Sequence, residues 1–428
     1  MAFSLARRSS AGSVARGATV AYTSRMPAPP RVAYFPDSFH EINGVAHTSR
    51  HFQAFARSHN LPFLCVRAGD RSRDLVTDGS ITTLELSRSR VSVPLDRGLN
   101  FDPLYFRHWN RIRAAVQAFK PDIIHITGPS ELGILGATLA HRLRVPLAAS
   151  WHTNLHEYAG RRATGLLRWL PRRTSDTAET NIEQASLWLT TRFYRLAKLH
   201  FAPNQELCDL LERMTGRPCA LMQRGVDTDL FSPAHRTRDE VADGEVLLGF
   251  VGRLSVEKNV AMLAQIAKEL RDAGIARAKF FIVGQGEEEQ WLRQRMPDAI
   301  FAGVLRGADL SRAYANMDLF VFPSHTDTFG NVVLEALASG VPAVVTPDGG
   351  PKYIVRHHET GFITGDAGFT SAVTQAIHDK PLYAAMKVAA RRQALSSSWD
   401  AVFERVYAAY ETISAARVHT ATNFIEPH

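Results

Sequence analysis

The sequence predicts an α/β protein built from two doubly wound parallel sheets. Three observations lead there. Apolar runs of strand length alternate with amphipathic runs of helix length. The alternation breaks in a polar, proline-bearing stretch at residues 224–240 and then starts again. A chain of 428 residues also exceeds what one hydrophobic core ordinarily organises.

Each element follows from local pattern. RVAYFPDSF, from Arg31, reads as a short strand running into a loop with the turn pair Asn43-Gly44. A helix is expected from Val45, with Phe52 and Phe55 turned inward. LPFLCVRAG gives a second strand, residues 102–119 a helix, and PDIIHITGP a third strand ending at a Gly-Pro turn. ELGILGATLAHRL is a helix, VPLAASWH a strand, and LHFAPN the strand that ends the first half. The pattern restarts with EVLLGFVGRL, an apolar strand with a glycine at its exit. AMLAQIAKELRDAG is a helix stopped by Gly274, KFFIVGQG a strand, and EEEQWLRQRM a helix opening. FAGVLRGADLSRAYANMDLFVFPS supplies a turn, a helix and a strand. NVVLEALASG is a helix with Asn331 near its cap and Gly340 at its stop. SWDAVFERVYAAYETISA forms a final helix with room to return to the first half. The expected organisation is a basic extension at 1–29, a first domain at 30–222 completed by 400–428, and a second at 223–399.

Bulk properties narrow the function classes. The chain is 45% hydrophobic and 21% charged, as in globular proteins, and no run of eighteen apolar residues suggests a membrane-spanning helix. Cys65, Cys208 and Cys219 are odd in number and have no metal-ligand spacing, which fits a reducing compartment. The net charge of +8 suits nucleic acid, anionic lipid or phosphorylated substrates without choosing among them. Residues 1–29 carry Arg7, Arg8, Arg16 and Arg25 but no acid and no apolar core of a signal peptide. They read as a basic tail or a lipid-surface contact. Arg161 to Arg173, RRATGLLRWLPRR, interleaves arginines with Leu166, Leu167, Trp169 and Leu170. That is the pattern of an interfacial helix, and equally of a solvated charged helix on a packed domain. No nucleic-acid-binding motif accompanies the charge.

The chemistry concentrates at residues 320–350, FVFPSHTDTFGNVVLEALASGVPAVVTPDGG. A buried strand exits into a polar turn, then a helix that carries one acid. Ligands of doubly wound sheets bind beyond the C-terminal ends of strands. Asp327, Thr328, Phe329 and Gly330 therefore sit at a ligand mouth, with helix-start amides suited to anionic groups. Glu335, in an otherwise apolar helix, is either a surface glutamate or a carboxylate that accepts hydrogen bonds from a ribose diol. In GFVGRLSVEKNV, Gly252 permits close approach while Arg253 and Lys258 suit a diphosphate, although Glu257 can pair with either cation. Gly284-X-Gly286 is not a dinucleotide fingerprint, because Glu289 occupies the last glycine position. Gly349, Gly350 and Lys352 form another permissive, cationic loop. In the first half, Gly44 follows the first strand and His152 the fourth. His152, His156 and Glu157 fall short of the HExxH metal sequence. A polar contact of His152 to the substrate competes with a local structural role.

GVDTDLFSP at 225–233, GRLSVEKNV at 252–260, VGQG at 283–286 and the block from Asp327 occur in the order found in retaining glycosyltransferases of family 4, which the chain resembles over residues 31–415. The resemblance implies a GT-B fold, in which two Rossmann-like domains face each other across a cleft. It implies a nucleotide-sugar donor, GDP-mannose or a UDP-hexose, and retention at the anomeric carbon with no metal or other cofactor. Asp327 and Glu335 stand at the ends of the family's paired acidic signature, with aspartate in place of the usual first glutamate. By resemblance Glu335 binds the donor ribose, Asp327 lies near the donor sugar, and Arg253 and Lys258 bind the diphosphate. Gly44 approaches the diphosphate or sugar, and His152 contacts the sugar near the reacting centre. Gly252, Gly284, Thr328, Phe329, Gly330 and Asn331 complete the expected donor site. The expected acceptor is a lipid, glycolipid or glycan, with residues 161–173 touching an anionic membrane surface. The expected location is the cytoplasm, peripheral to the inner face of the cell membrane, and no nucleic-acid partner is expected. A sugar-nucleotide epimerase of the same shape and a non-catalytic nucleotide-binding module are the rival readings.

Overall fold

The computed structural model describes residues 28–41, 44–96, 99–151, 190–238, 245–275, 277–327 and 329–422. In chain order the first half runs β1 (Val32–Phe35), α1 (Gly44–Ser58), β2 (Phe63–Gly69), β3 (Val76–Asp78), β4 (Ile81–Ser87), β5 (Val93–Asp96), β6 (Leu99–Phe101), α2 (Trp109–Phe119), β7 (Ile123–Ile126), α3 (Glu131–Leu143), β8 (Leu147–Ser150), β9 (Leu199–Ala202), α4 (Gln205–Thr215) and β10 (Cys219–Leu221). The second half runs β11 (Val246–Val251), α5 (Ala261–Asp272), β12 (Ala278–Val283), α6 (Glu289–Arg295), β13 (Ile300–Gly303), α7 (Gly307–Asn316), β14 (Leu319–Phe322), α8 (Asn331–Ala338), β15 (Ala343–Val345), β16 (Gly361–Ile363), α9 (Phe369–His378) and α10 (Lys380–Leu395). A long helix, α11 (Trp399–Thr422), ends the described chain.

Two large sheets result, with strand orders β10-β9-β8-β7-β1-β2-β4-β3 and β13-β12-β11-β14-β15-β16, and β5 and β6 form a separate antiparallel ribbon. All pairings within the two large sheets are parallel except β3 with β4 at the edge of the first. The central strands β1, β7, β8, β9 and β14 are buried along their length, as strands covered on both faces must be. The strand order reverses beside β1 in the first sheet and beside β11 in the second, and these reversals open crevices at the strands' C-terminal ends. This is the GT-B architecture that the sequence predicts.

Where the elements differ from expectation, the reason is local. The turn expected at Phe301-Ala302-Gly303 is strand β13, which pairs with β12 through a register irregularity. The stretch at 224–240 is no loose connector over its described residues. Phe231 is buried in the second core, and Arg236 and Arg238 both pair with Asp318 at 2.7 Å. Cys208 and Cys219, scattered in sequence, meet as free thiols with their sulfurs 3.1 Å apart.

The chain passes from the first sheet to the second near Val226 and returns near Ser398. The two passages pair with each other, and Val226 N–H donates to the Ser397 carbonyl at 3.1 Å. After the return, α11 lies on the first sheet. Phe403 stacks on Phe52 of α1 with ring centres 4.6 Å apart, and Tyr407 and Tyr410 join the cluster around Tyr34 and Phe63. Buried His125 of β7 bonds the Tyr410 hydroxyl through Nδ1 and Ser150 Oγ through Nε2, the latter at 2.6 Å. Tyr410→Phe deletes one bond of this buried chain while keeping the ring. It should cost about 1–3 kcal/mol in urea unfolding. A loss below about 0.5 kcal/mol would show that the hydroxyl contributes nothing net.

Candidate functional site

The reversal between β11 and β14 gathers most of the predicted residues. β11 exits through Gly252 and Arg253 into a single helical turn, Val256–Lys258, and β14 exits through Pro323 to Asp327. Three bonds stitch the two exits together. Asn259 Nδ2 donates to the Pro323 carbonyl at 3.2 Å, Thr326 Oγ1 to the Glu257 carbonyl at 3.1 Å, and Lys258 Nζ meets Asp327 Oδ2 at 2.6 Å. The loop after β15 closes the third side. Thr346 Oγ1 donates to the Ser324 carbonyl at 2.8 Å, and Gly350 N–H to the Asp327 carbonyl at 2.7 Å. These loops form one cross-linked rim, the condition for holding a ligand with little reorganisation.

Within the rim the predicted side chains take different stations. Lys258 and Asp327 are each mostly covered, whereas Arg253 is exposed and only loosely paired with Glu257, at 3.5 Å. Gly330 precedes α8 with φ of 90°, and a Cβ there would lie 2.9 Å from Pro351 Cγ. Glycine meets both demands. No side chain caps α8, whose positive dipole end begins four residues after Asp327. Asn331 is exposed on this turn, and Phe329 is buried just before it. Gly284 has a role that its prediction as a ligand contact did not include. Its φ is 135°, and any Cβ would overlap the Gly252 carbonyl, so the exits of β11 and β12 lie backbone against backbone. His152, Thr328 and residues 161–173 lie outside the described residues, as does the basic extension through residue 27.

Glu335 is half-buried one turn into α8, and the Tyr314 hydroxyl of α7 donates to its Oε2 at 2.8 Å. Burial pushes its carboxyl up to about 7, against the lowering effect of the Tyr314 bond. A carboxylate held this way keeps one oxygen for Tyr314 and offers the other as an acceptor, which suits a diol.

Across the cleft, α1 opens at Gly44 under the guanidinium of Arg224, which also lies over the Phe329 ring with 5.5 Å to its centre. From the opposite side of the cleft, Glu206 of α4 adds its negative charge to the burial that raises the Tyr353 hydroxyl, beyond β15, to about 12. At the β1/β7 reversal, the Asp37 amide donates to Thr127 Oγ1 at 2.7 Å and its carboxylate accepts from Ser130 Oγ at 2.5 Å. Burial raises the Asp37 carboxyl to about 7. Arg224, Tyr314 and Asp37 escaped the sequence reading. Each is a single polar residue in an ordinary context, and only the loop position of Asp37, just after a strand, marked it in advance.

Comparison with known proteins identifies this arrangement. Residues 43–230 match the family described as Glycosyltransferase Family 4, and residues 245–379 match Glycosyl transferases group 1. A GDP-mannose-dependent alpha-mannosyltransferase of Mycobacterium tuberculosis is 32% identical over 319 residues, covering 73% of this chain and 78% of that protein. The chain belongs to the family 4 glycosyltransferases. A GDP-mannose-dependent alpha-mannosyltransferase of Corynebacterium glutamicum is 28% identical over 93% of both chains. The sulfoquinovosyl transferase SQD2 of Arabidopsis thaliana is 32% identical, over 69% of this chain and 58% of its own. Among solved structures, a sucrose-phosphate synthase from Thermosynechococcus elongatus superposes with a TM-score of 0.62 at 16% identity, over 90% of this chain and all of that one, so the likeness is one of fold. This glycosyltransferase is thus an enzyme that moves a sugar from a nucleoside-diphosphate donor. Among its described residues no helix is long and apolar enough to cross a membrane.

The buried state of Glu335 sets a measurable pH dependence. A glutamate raised from 4.5 to about 7 binds its proton more tightly folded than unfolded. Its charged form therefore costs stability, fully above pH 7 and not at all below about 4.5. Glu335→Gln keeps the Tyr314 bond and removes the charge. Relative to wild type it should gain up to roughly 3 kcal/mol at pH 8, a gain that shrinks as pH falls through 7. Urea unfolding at pH 5 and pH 8 tests this, and an equal difference at both values would contradict it.

Proposed function

We propose that the protein is a retaining hexosyltransferase that moves mannose from GDP-mannose to a hydroxyl of a lipid, glycolipid or glycan. The observation that carries this is the convergence of Arg253, Lys258, Asp327 and the uncapped start of α8 on one rim, with Glu335 behind it. In this reading Arg253 and Lys258 hold the diphosphate, one as a fork and one as a point charge. Glu335 accepts from the ribose, Asp327 from the transferred sugar, and the helix-start amides meet a phosphate. Gly44 admits the donor to the first-sheet wall, and His152 contacts the sugar. The mycobacterial and corynebacterial relatives, GDP-mannose-dependent alpha-mannosyltransferases, favour guanine and mannose. A UDP-hexose is the second donor to test.

The division of labour follows the two sheets. Residues 223–399 bind the donor. Residues 30–222 with 400–428 select the acceptor, where the Asp37–Ser130 pair gives a polar floor at the β1/β7 crevice. The cations offset the charge that grows on the diphosphate as the glycosidic bond breaks, an electrostatic contribution that is strongest in a water-poor cleft. The acceptor oxygen then approaches on the leaving-group face, and the released diphosphate takes its proton. No side-chain nucleophile enters this scheme. The setting is the cytoplasm, with residues 161–173 touching the anionic inner face of the membrane.

A donor screen tests the reading directly. GDP-mannose, UDP-glucose and other UDP-hexoses are incubated with the protein and either a crude lipid extract or soluble glycans, and products are weighed by mass spectrometry. Mannosylated lipid or glycan is expected. Sugar isomerisation without transfer would establish an epimerase instead, and donor binding without turnover a non-catalytic module. Lys258→Ala should lower kcat by about 100-fold or more. Undiminished turnover would remove Lys258 from the leaving-group site.

A further inference from the structure

Arg224 holds a charge in the cleft for which the described protein supplies no ion pair. It follows β10 and stands just before Val226, where the chain passes from the first sheet to the second. Its guanidinium rests against Gly44 so closely that a methyl group there would overlap it, and the Phe329 ring lies beneath its other side. Its charge is felt by His47 on α1 and by Asp327 on the opposite rim. Among the described residues it makes neither a hydrogen bond nor an ion pair. Asp327, the acid that attracts it, forms its ion pair with Lys258 at 2.6 Å.

A guanidinium partly withdrawn from water without an acceptor carries a cost, and its position over the Phe329 ring offsets only part of it. Five N–H donors in a rigid fork instead match a phosphate. Position selects which phosphate. Glu335 lies behind the rim of the second sheet, at the end of the site that the ribose occupies in the reading above. Asp327 lies at the cleft, and Arg224 faces it from the far wall beside the start of α1. A donor laid from Glu335 towards Asp327 brings its outer phosphate, the one bonded to the sugar, under Arg224.

We propose that Arg224 is a catalytic cation of the donor site and that it binds the β-phosphate of the nucleoside diphosphate sugar. This rests on the donor reading above and adds a ligand from the interdomain crossing to those on the second sheet. During transfer the bond between the anomeric carbon and the β-phosphate oxygen breaks, and its electron pair stays on that oxygen. The acceptor oxygen bonds to the carbon and its proton passes to the released phosphate. The β-phosphate gains a negative charge in the first of these events, next to a guanidinium already oriented by Gly44 and Phe329. Because Arg224 rides on the crossing, the same contact couples the phosphate to the setting of the two sheets.

Calorimetric titration of the full chain with GDP and GMP, and with UDP and UMP, tests the assignment in wild type, Arg224→Gln and Arg224→Lys. The wild type should bind the diphosphate of its own base more tightly than the monophosphate. Arg224→Gln should lose about 10- to 100-fold in diphosphate affinity and keep its monophosphate affinity, while Arg224→Lys falls between. Unchanged diphosphate affinity in Arg224→Gln overturns the proposal, even if the intact sugar donor binds more weakly, since the contact would then be to the sugar. Equal losses for both nucleotides overturn it as well, because a merely structural arginine behaves so. A wild type that binds neither diphosphate would instead refute the donor reading on which the assignment rests.

Discussion

Everything at the ligand site depends on two parallel sheets meeting by their C-terminal edges. Parallel strands send all their exit loops the same way, so each sheet has one edge rich in loops and amides. The paired passages at Val226 and Ser397 bring these two edges face to face. Gly44 and Asp37 on one side then look across at Asp327 and Phe329 on the other. A single crossing would leave a hinge with much freedom. Two crossings bonded to each other restrict it, and the fork of Arg224 leaves the chain at that restriction.

The rim is also an exercise in rationed charge. Asp327 moderates Lys258, Glu257 loosely occupies Arg253, and burial brings Glu335 to the edge of neutrality. Without a donor these balances keep the loops together. A diphosphate carries a higher charge than either carboxylate, so in the proposed donor site it would displace Asp327 from Lys258.

Much of this was legible in the sequence, for reasons that differ by residue. The central strands and their helices were visible because burial on both faces demands unbroken apolar runs, as in β14 and β11. The edges were not: β3 is exposed, β4 alternates polar and apolar residues, and β13 is only partly covered. Asp327 and Glu335 stood out because one short segment carries both, and a lone acid in an apolar helix is conspicuous. Tyr314 and Arg224 reach the same site from distant segments and look ordinary where they stand. Gly284 was singled out for ligand approach, and its backbone contact with Gly252 was not foreseeable from a Gly-X-Gly pair.

The place of α11 has a consequence for how the molecule comes into being. Its aromatic face completes the core that contains β1, α1 and β7, although it is made after both sheets. The second sheet and its helices are continuous in sequence and can close as soon as residue 395 has left the ribosome. The first sheet cannot bury Phe52, His125 and Tyr34 fully until α11 has followed the second sheet. Domains usually settle in the order of their synthesis. Here the first sheet's core waits for a helix made after the second sheet, so the cleft between them takes shape only when two segments far apart in the chain have met.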